Sequence, residues 1–255
     1  MGDQSNAFNN SIIPELIVVG AGPGDPELIT IKALKALQQA DVVLYDNLAN
    51  KDLLEFTKPD CEKQYVGKQP YGNYTPQETI HALIKEKAFS KGKVIRLKGG
   101  DPFIFGRGFE EILFARELGI KTSYIPGIST LQTAGLDDIP LTHRHTSEGF
   151  WVMTGTKEDG SLTNDLKLAI RSKATVVIYM GMKKLGAIAA VYNQENSGDT
   201  PAVIIQHATL PQKKMAKGFI KDLPLLAEQQ QISHPAIIFI GNVADIEGKM
   251  KGLDK

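Results

Sequence analysis

The 255-residue chain has one cysteine, no net charge and no apolar run near bilayer length. With Cys61 alone, an internal disulfide is excluded, and the thiol reads as a buried one. The 29 Lys+Arg are matched by 29 Asp+Glu, so the basic excess of a general nucleic-acid binder is missing. The longest apolar stretches, 174–179 and 235–240, fall far short of the ~20 residues that span a bilayer. The N-terminal MGDQSNAFNN has neither a basic nor an apolar export region, and Asn6 stands where a myristoylation signal has Ser or Thr. The expected compartment is the cytoplasm. The histidines, His81, His143, His145, His207 and His234, show no H-E-x-x-H spacing and no cysteine partner, so no metal is expected. A G-x-S-x-G elbow and a P-loop are also missing, which weighs against serine hydrolases and NTP hydrolases.

What is present is the composition of a globular protein, with 42% hydrophobic and 23% charged residues. A chain of this length buries roughly 70–75% of its unfolded surface, enough for one large core or two modest ones. Residues 1–14 are polar and read as a flexible arm. Residues 15–19 form a β-branched apolar run that ends in Gly20-Ala21-Gly22-Pro23-Gly24. A helix is expected directly after it, capped by Asp25 with Pro26 at the first position. Strands are expected at 42–45, 93–97 and 121–125. Helices are expected after the capping-box pattern Thr75-Pro76-Gln77-Glu78 and over 108–118. Strands alternating with helices predict α/β architecture with mainly parallel sheets. The pattern breaks over 126–150 and resumes with apolar runs at 151–153, 175–180, 202–205 and 236–240. The expected organisation is therefore an N-terminal α/β domain over 15–135, an interdomain linker over 136–150, a C-terminal α/β domain over 151–246 and a polar tail over 247–255.

Three clusters carry chemistry. Small residues between a strand and a helix let backbone approach a ligand, so the Gly20 loop is compatible with a nucleotide-type ligand. Its spacing, G-x-G-P-G, only partly matches the dinucleotide fingerprint, and a purely structural turn stays open beside that reading, with Asp46 as a candidate ribose-binding acid. Over 93–108 four basic residues (Lys93, Arg96, Lys98, Arg107) face one acid (Asp101), which suits an anionic ligand. His143 and Arg144 add cationic capacity, although adjacent His and Arg on a loop are often only solvated.

The motifs GAGPGD (20–25), VLYD (43–46), VGK (66–68), PQE (76–78), RLKGGDPFIFGRG (96–108), PGIS (126–129), IPLTHR (139–144) and YMG (179–181), in this order, resemble the uroporphyrinogen-III C-methyltransferase family of the tetrapyrrole methylases. The resemblance covers about residues 15–245 and removes the dinucleotide reading. It implies two α/β domains with an interdomain active-site cleft enclosing S-adenosylmethionine and a macrocycle. It also implies two successive methyl transfers to ring carbons of uroporphyrinogen III, giving precorrin-2 for sirohaem or cobalamin synthesis, and a homodimer. By the same resemblance Asp46 matches the proton acceptor and Lys68 the proton donor. Pro23, Gly99, Gly100, Asp101, Ile104, Ser129, Thr130, Met180 and Ala208 match the cofactor contacts, with Asp101 a sensible neighbour for a sulfonium cation. Arg96, Lys98, Arg107, His143 and Arg144 are the candidates for receiving the carboxylates of the macrocycle.

The chain departs from the family pattern near this site. The segment between Pro126 and Pro140 is one residue shorter and carries Asp137-Asp138, while His145-Thr146, Asn73 and Phe109 replace frequent Asp-Tyr, His and Gly. With 14 residues before the first strand, the chain is expected to stand alone, without the dehydrogenase and ferrochelatase portion fused to some relatives. Competing readings are a precorrin-4 methyltransferase, a diphthine synthase, a nicotinamide-dependent oxidoreductase resting on the glycine loop, and a tetrapyrrole carrier without turnover.

Overall fold

The computed structural model describes residues 12–67 and 75–246. Lys68 and Asn73, most of the N-terminal arm and the 247–255 tail lie outside the described residues. The chain divides into two compact units, residues 1–22 with 26–128 and residues 23–25 with 129–255.

The first unit holds strands β1 (Glu15–Gly20), β2 (Val42–Tyr45), β3 (Glu62–Tyr65), β4 (Lys93–Lys98) and β5 (Lys121–Ile125), ordered β3-β2-β4-β1-β5. Every pairing in this sheet is parallel. Helices α1 (Ile31–Leu37), α2 (Gln77–Lys91) and α3 (Gly108–Glu117) cover it. Successive strand residues point to opposite faces, and both faces are covered, so the strands read as continuous apolar runs. Ile17, Val19, Val43, Ile95 and Leu97 pack with Ala33 and Leu37 of α1. Leu16, Val18, Val42, Leu44 and Val94 pack with Ile80 and Ile84 of α2 and Ile112 and Ala115 of α3. Cys61 is buried in the first of these cores.

A parallel sheet brings the carboxyl ends of all its strands to one edge. Gly20, which ends β1, and Asp46, Gly67, Gly99 and Pro126, which follow the other strands, are scattered along the sequence yet lie at the same edge, where open α/β sheets bind ligands.

The second unit holds β6 (Phe150–Thr154), β7 (Thr175–Tyr179), β8 (Pro201–Gln206), β9 (Lys214–Phe219) and β10 (Ala236–Ile240), with α4 (Leu166–Ser172), α5 (Leu185–Gln194) and α6 (Leu223–Gln229). The order is β6-β7-β10-β8-β9. This sheet is mixed rather than mainly parallel: β6 and β7 pair in parallel, whereas β10 runs antiparallel to β7 and β8, and β9 antiparallel to β8. The connection over 207–213 is too short for a parallel crossover, which needs about a dozen residues or more, so β8 and β9 form a hairpin. Because β7 and β8 both oppose β10, they run the same way as β6. Gly155, Met180 and His207 thus follow strands ending at a common edge.

Residues 136–150, expected as a linker, fall within the second unit. A 3-10 helix at Thr130–Asp137 and the turn after it bury Ala134 and Ile139 against Val177, Val203 and Phe239. Two expected helix starts also differ. The residues after Asp25 form only a 3-10 turn, Pro26–Leu28, and α1 begins at Ile31, where the Thr30 hydroxyl accepts from the Ala33 amide at 3.2 Å. Asp25 instead donates its amide to Thr209 Oγ1 at 2.9 Å. At α2 the cap residue is Pro76 with no side-chain capping bond, because the Thr75 hydroxyl donates to the Gly67 carbonyl at 3.0 Å. Among the described residues no helix is long and apolar enough to cross a membrane.

The glycine loop after β1 is zipped to the segment after β4. Ala21 N–H donates to Lys98 O at 2.7 Å, Gly22 N–H to Gly100 O at 3.3 Å, and Gly100 N–H to Gly22 O at 2.7 Å. The Ala21 and Gly22 amides are thus spent on backbone, and the following element is a 3-10 turn rather than an α-helix with an anion-binding terminus, which is why the dinucleotide reading fails physically. The zip requires three glycines in contact: a Cβ on Gly127 would collide with Gly100 O, and one on Gly20 would collide with Gly127 N. Gly127→Ala should therefore destabilise the first unit by about 1–3 kcal/mol. A urea midpoint equal to that of the unsubstituted protein would show that the contact can relax.

Candidate active site

The carboxyl end of β4 carries Arg96 and Lys98, two residues apart on the same face, and both are buried, at 2% and 7% exposure. Charges taken from water need partners. Glu111 of α3, 0% exposed, supplies one: its Oε1 accepts from Arg96 Nε at 3.2 Å, Lys98 Nζ at 3.1 Å and Gln77 Nε2 at 3.4 Å. Glu111 Oε2 is buried and finds no hydrogen-bond partner. Arg96 is held further by the Leu44 and Leu97 carbonyls at 3.3 and 3.0 Å. Its remaining end, Nη2, reaches Asp46 Oδ2 at 3.3 Å. Burial pulls the Lys98 ammonium below its ordinary pKa, with the Arg96 charge acting in the same direction and Glu111 opposing both.

Asp46 follows β2 and is the solvent-facing member of this set, with its side chain 24% exposed. Its Oδ1 accepts the Leu48 amide at 3.1 Å, so the carboxylate is fixed at both oxygens yet open to a ligand. Burial and then the Asp46 charge push the Tyr65 phenol above its ordinary pKa.

The loop after β4 turns on Asp101, which is buried. Asp101 Oδ1 accepts the Phe103 amide at 2.8 Å, and Oδ2 accepts the Tyr124 hydroxyl at 2.5 Å and the Gly127 amide at 3.2 Å. Gly99 and Gly100 precede it, and Gly100 has a positive φ of 65° that favours glycine. Beyond it Phe103 and Phe105 on the loop and Phe109 in the first turn of α3 are all exposed, a set of large apolar rings. Ile104 is half-buried, and Arg107 is exposed and forked onto Glu110, with Nη2–Oε2 at 2.5 Å.

In the second unit Ser129 is buried, and its hydroxyl lies 2.7 Å from the Tyr179 hydroxyl, which also accepts the Leu131 amide at 2.9 Å. Thr130 is half-buried beside it. Met180 and His207, at the ends of β7 and β8, both adopt positive φ, at 54° and 50°. Met180 is 53% exposed, while Ala208 is buried. Pro23 is half-buried. His143 is half-buried with Nδ1 3.3 Å from the Thr146 hydroxyl, and Arg144 is exposed.

Asp46, Arg96, Lys98 and Asp101 thus gather in the first unit, but Arg96 and Lys98 are occupied within the protein rather than presented to solvent. Glu111 and Tyr124 belong to the same constellation and were missed in the sequence. Glu111 had a signal: it shares the buried stripe of α3 with Gly108, Ile112 and Ala115, where a carboxylate is out of place. Tyr124 had none, since it lies in an ordinary strand. Among the described residues no group of three or more His, Cys, Asp or Glu is placed to hold a metal ion.

The family model for Tetrapyrrole (Corrin/Porphyrin) Methylases matches residues 15–224, and the chain belongs to that family. Among curated proteins it is 40% identical over 235 residues to the uroporphyrinogen-III C-methyltransferase of Methanocaldococcus jannaschii, covering 91% of this chain and 97% of that one. It is also 40% identical over 238 residues to the siroheme synthase of Thiobacillus denitrificans, covering 92% of this chain and 50% of that one. The chain thus spans about half the length of the siroheme synthases that it matches. Among solved structures, the Thermus thermophilus uroporphyrin-III C-methyltransferase complexed with S-adenyl homocysteine superposes with a TM-score of 0.78 at 35% identity, over 91% of this chain and 99% of that one. A cobalt precorrin-4 methyltransferase superposes at 0.81 with 27% identity, over 91% and 96%.

Removing Glu111 would leave two buried cations facing each other. Glu111→Ala should cost about 3–5 kcal/mol of stability, more than Glu111→Gln, which keeps a hydrogen-bonding oxygen. Urea unfolding of both variants measures this; a loss under about 1 kcal/mol for Glu111→Ala would show that water enters and solvates the cluster.

Proposed function

We propose that this chain is an S-adenosylmethionine-dependent C-methyltransferase that methylates uroporphyrinogen III twice, giving precorrin-2 for sirohaem or cobalamin synthesis. The observation that carries the reading is the 40% identity across 97% of the M. jannaschii protein of that name. The proposal includes a homodimer in the cytoplasm, on the family resemblance alone.

The donor set of the strand-end loops fits this methyl donor. Gly99, Gly100 and Ala208 bring backbone close, Ser129 and Thr130 carry hydroxyls, and Asp101 is a fixed carboxylate. With Ile104, Pro23 and Met180 these residues are the proposed cofactor contacts. When bound, S-adenosylmethionine supplies a methyl group on a positively charged sulfur, already activated for transfer to an electron-rich ring carbon. The protein's tasks are then to align the partners, exclude water and receive a proton.

Asp46 is the proposed proton acceptor. As a carbon–methyl bond forms on the macrocycle and the sulfur–methyl bond breaks, a proton leaves the macrocycle, and the Asp46 carboxylate is partly exposed and oriented by Arg96. Lys68, the proposed donor, lies outside the described residues. Arg107, His143 and Arg144 are the cations proposed to receive the substrate's carboxylates, with Arg107 exchanging its Glu110 partner for one of them. Arg96 serves the substrate indirectly, by holding Asp46 in place, and Lys98 by sharing Glu111 with it. The exposed rings of Phe103, Phe105 and Phe109 suit the apolar faces of a macrocycle.

A precorrin-4 methyltransferase is the second reading, favoured by its TM-score of 0.81 against 0.78. Shared backbone does not choose between substrates of one fold, and the 35% against 27% identity favours the uroporphyrinogen reading. Anaerobic incubation with S-adenosylmethionine and enzymically generated uroporphyrinogen III should yield a product carrying two added methyl groups by mass spectrometry. Unmodified macrocycle, with turnover on a precorrin instead, would select the second reading. Asp46→Asn should lower kcat by about 10²–10⁴-fold. Arg107→Ala and Arg144→Ala should chiefly raise KM for the macrocycle, and an unchanged KM in both would remove them from substrate binding.

A further inference from the structure

Asp101 and Tyr124 are joined more closely than a cofactor contact alone explains. Tyr124, on β5, reaches past β1 to the loop that follows β4. Its hydroxyl donates to Asp101 Oδ2 at 2.5 Å, and its ring stacks on Phe103 at 3.9 Å with the planes 7° apart. Phe103 meets Phe109 edge-on at 5.7 Å, and its own amide donates to Asp101 Oδ1 at 2.8 Å. The Gly127 amide, just beyond β5, completes the grip on Asp101 Oδ2 at 3.2 Å. The loop is therefore held at a polar point and across an aromatic face by one side chain. Burial, reinforced by the Asp101 carboxylate, pushes the Tyr124 phenol well above its ordinary pKa, so the hydroxyl remains a donor.

We infer that Tyr124 is a positioning residue for the methyl donor: through Asp101 and Phe103 it sets the shape of the loop over 99–104, and Asp101 acts there as a latch rather than as a charge partner for the sulfonium. The inference rests on the cofactor reading above. It follows from where the three donors to Asp101 originate, all of them within the first unit and two of them at or beyond the end of β5. It gives a role to a tyrosine that contributes nothing else to the site.

The latch and the charge partner differ in one measurable respect. S-adenosylmethionine carries a positive sulfur, and S-adenosylhomocysteine does not. A latch affects the two equally, whereas a charge partner favours the cation. The test is calorimetric titration of the full chain with both compounds, using Tyr124→Phe, Asp101→Asn and the double variant. Tyr124→Phe keeps the ring stack, and thermal melts confirm that each protein is folded at the titration temperature. The expected result is a loss of affinity of about 3- to 10-fold in Tyr124→Phe, the same for both compounds. The kinetic counterpart is a raised KM for the methyl donor with kcat nearly unchanged. Asp101→Asn should also weaken both equally, and the double variant should be little worse than Asp101→Asn, because the two side chains act as one unit.

Unchanged affinity in Tyr124→Phe, with or without a lower melting temperature, overturns the inference and leaves the cofactor reading standing. A loss confined to S-adenosylmethionine in Asp101→Asn overturns the latch in favour of charge pairing. Binding of neither compound by the unsubstituted protein removes the cofactor reading and the inference together.

Discussion

A buried guanidinium at the end of a central strand is the constraint around which the first unit is built. Arg96 lies in β4, between β2 and β1, and its 2% exposure obliges the fold to meet its charge and its hydrogen bonds internally. Glu111 on α3 meets the charge, which fixes where that helix lies on the sheet. The Leu44 and Leu97 carbonyls meet two further hydrogen bonds, and Asp46 takes the last. Lys98 adds a second cation that shares Glu111. Counted together, Arg96 and Lys98 balance Glu111 and Asp46, so the only member able to exchange its environment for a ligand is the partly exposed Asp46.

Around this point the parallel sheet does the gathering. The glycine loop, Asp46, the Gly99–Asp101 turn and the Pro126–Gly127 turn are up to about a hundred residues apart in the chain yet leave the same edge of one sheet. Close contact of Gly20, Gly100 and Gly127 lets three of these loops pack backbone to backbone. The second unit reaches a similar result by different pairing: β6, β7 and β8 point the same way because β10 opposes both β7 and β8, and Met180 and His207 take left-handed conformations at the ends of their strands. Such conformations are costly for residues other than glycine and tend to mark positions used for binding.

Much of this was legible in the sequence because apolar runs buried on both faces leave a plain signature. The strands at 42–45 and 121–125 have the expected bounds, and those at 15–20 and 93–98 extend the expected runs by one residue. The strands that escaped are edge strands without a buried apolar run: β3, EKQY, is polar, and β9, KMAKGF, turns the small Ala216 and Gly218 inward and leaves Met215 and Phe219 exposed. The mixed order of the second sheet was hidden for a related reason, since strand pairing is decided by connection length and by contacts distant in sequence. The helix caps misread at Asp25 and Thr75 show tertiary partners, Thr209 and the Gly67 carbonyl, competing with local capping. Within the site, Asp46 and Asp101 stood out as residues of recognisable motifs. That Arg96 is committed to Glu111, and Asp101 to Tyr124, could only be seen once α3 and β5 were placed.

The proposed binding of the methyl donor at strand-end loops can be tested in each unit separately. Hydrogen–deuterium exchange of the full chain, with and without S-adenosylhomocysteine, tests it without requiring the macrocycle. The prediction is new protection over 99–104, 129–131, 179–181 and 207–209, with the helices on the faces of the sheets unchanged. Protection absent from these loops, or confined to segments away from the strand ends, would show that the methyl donor does not bind there.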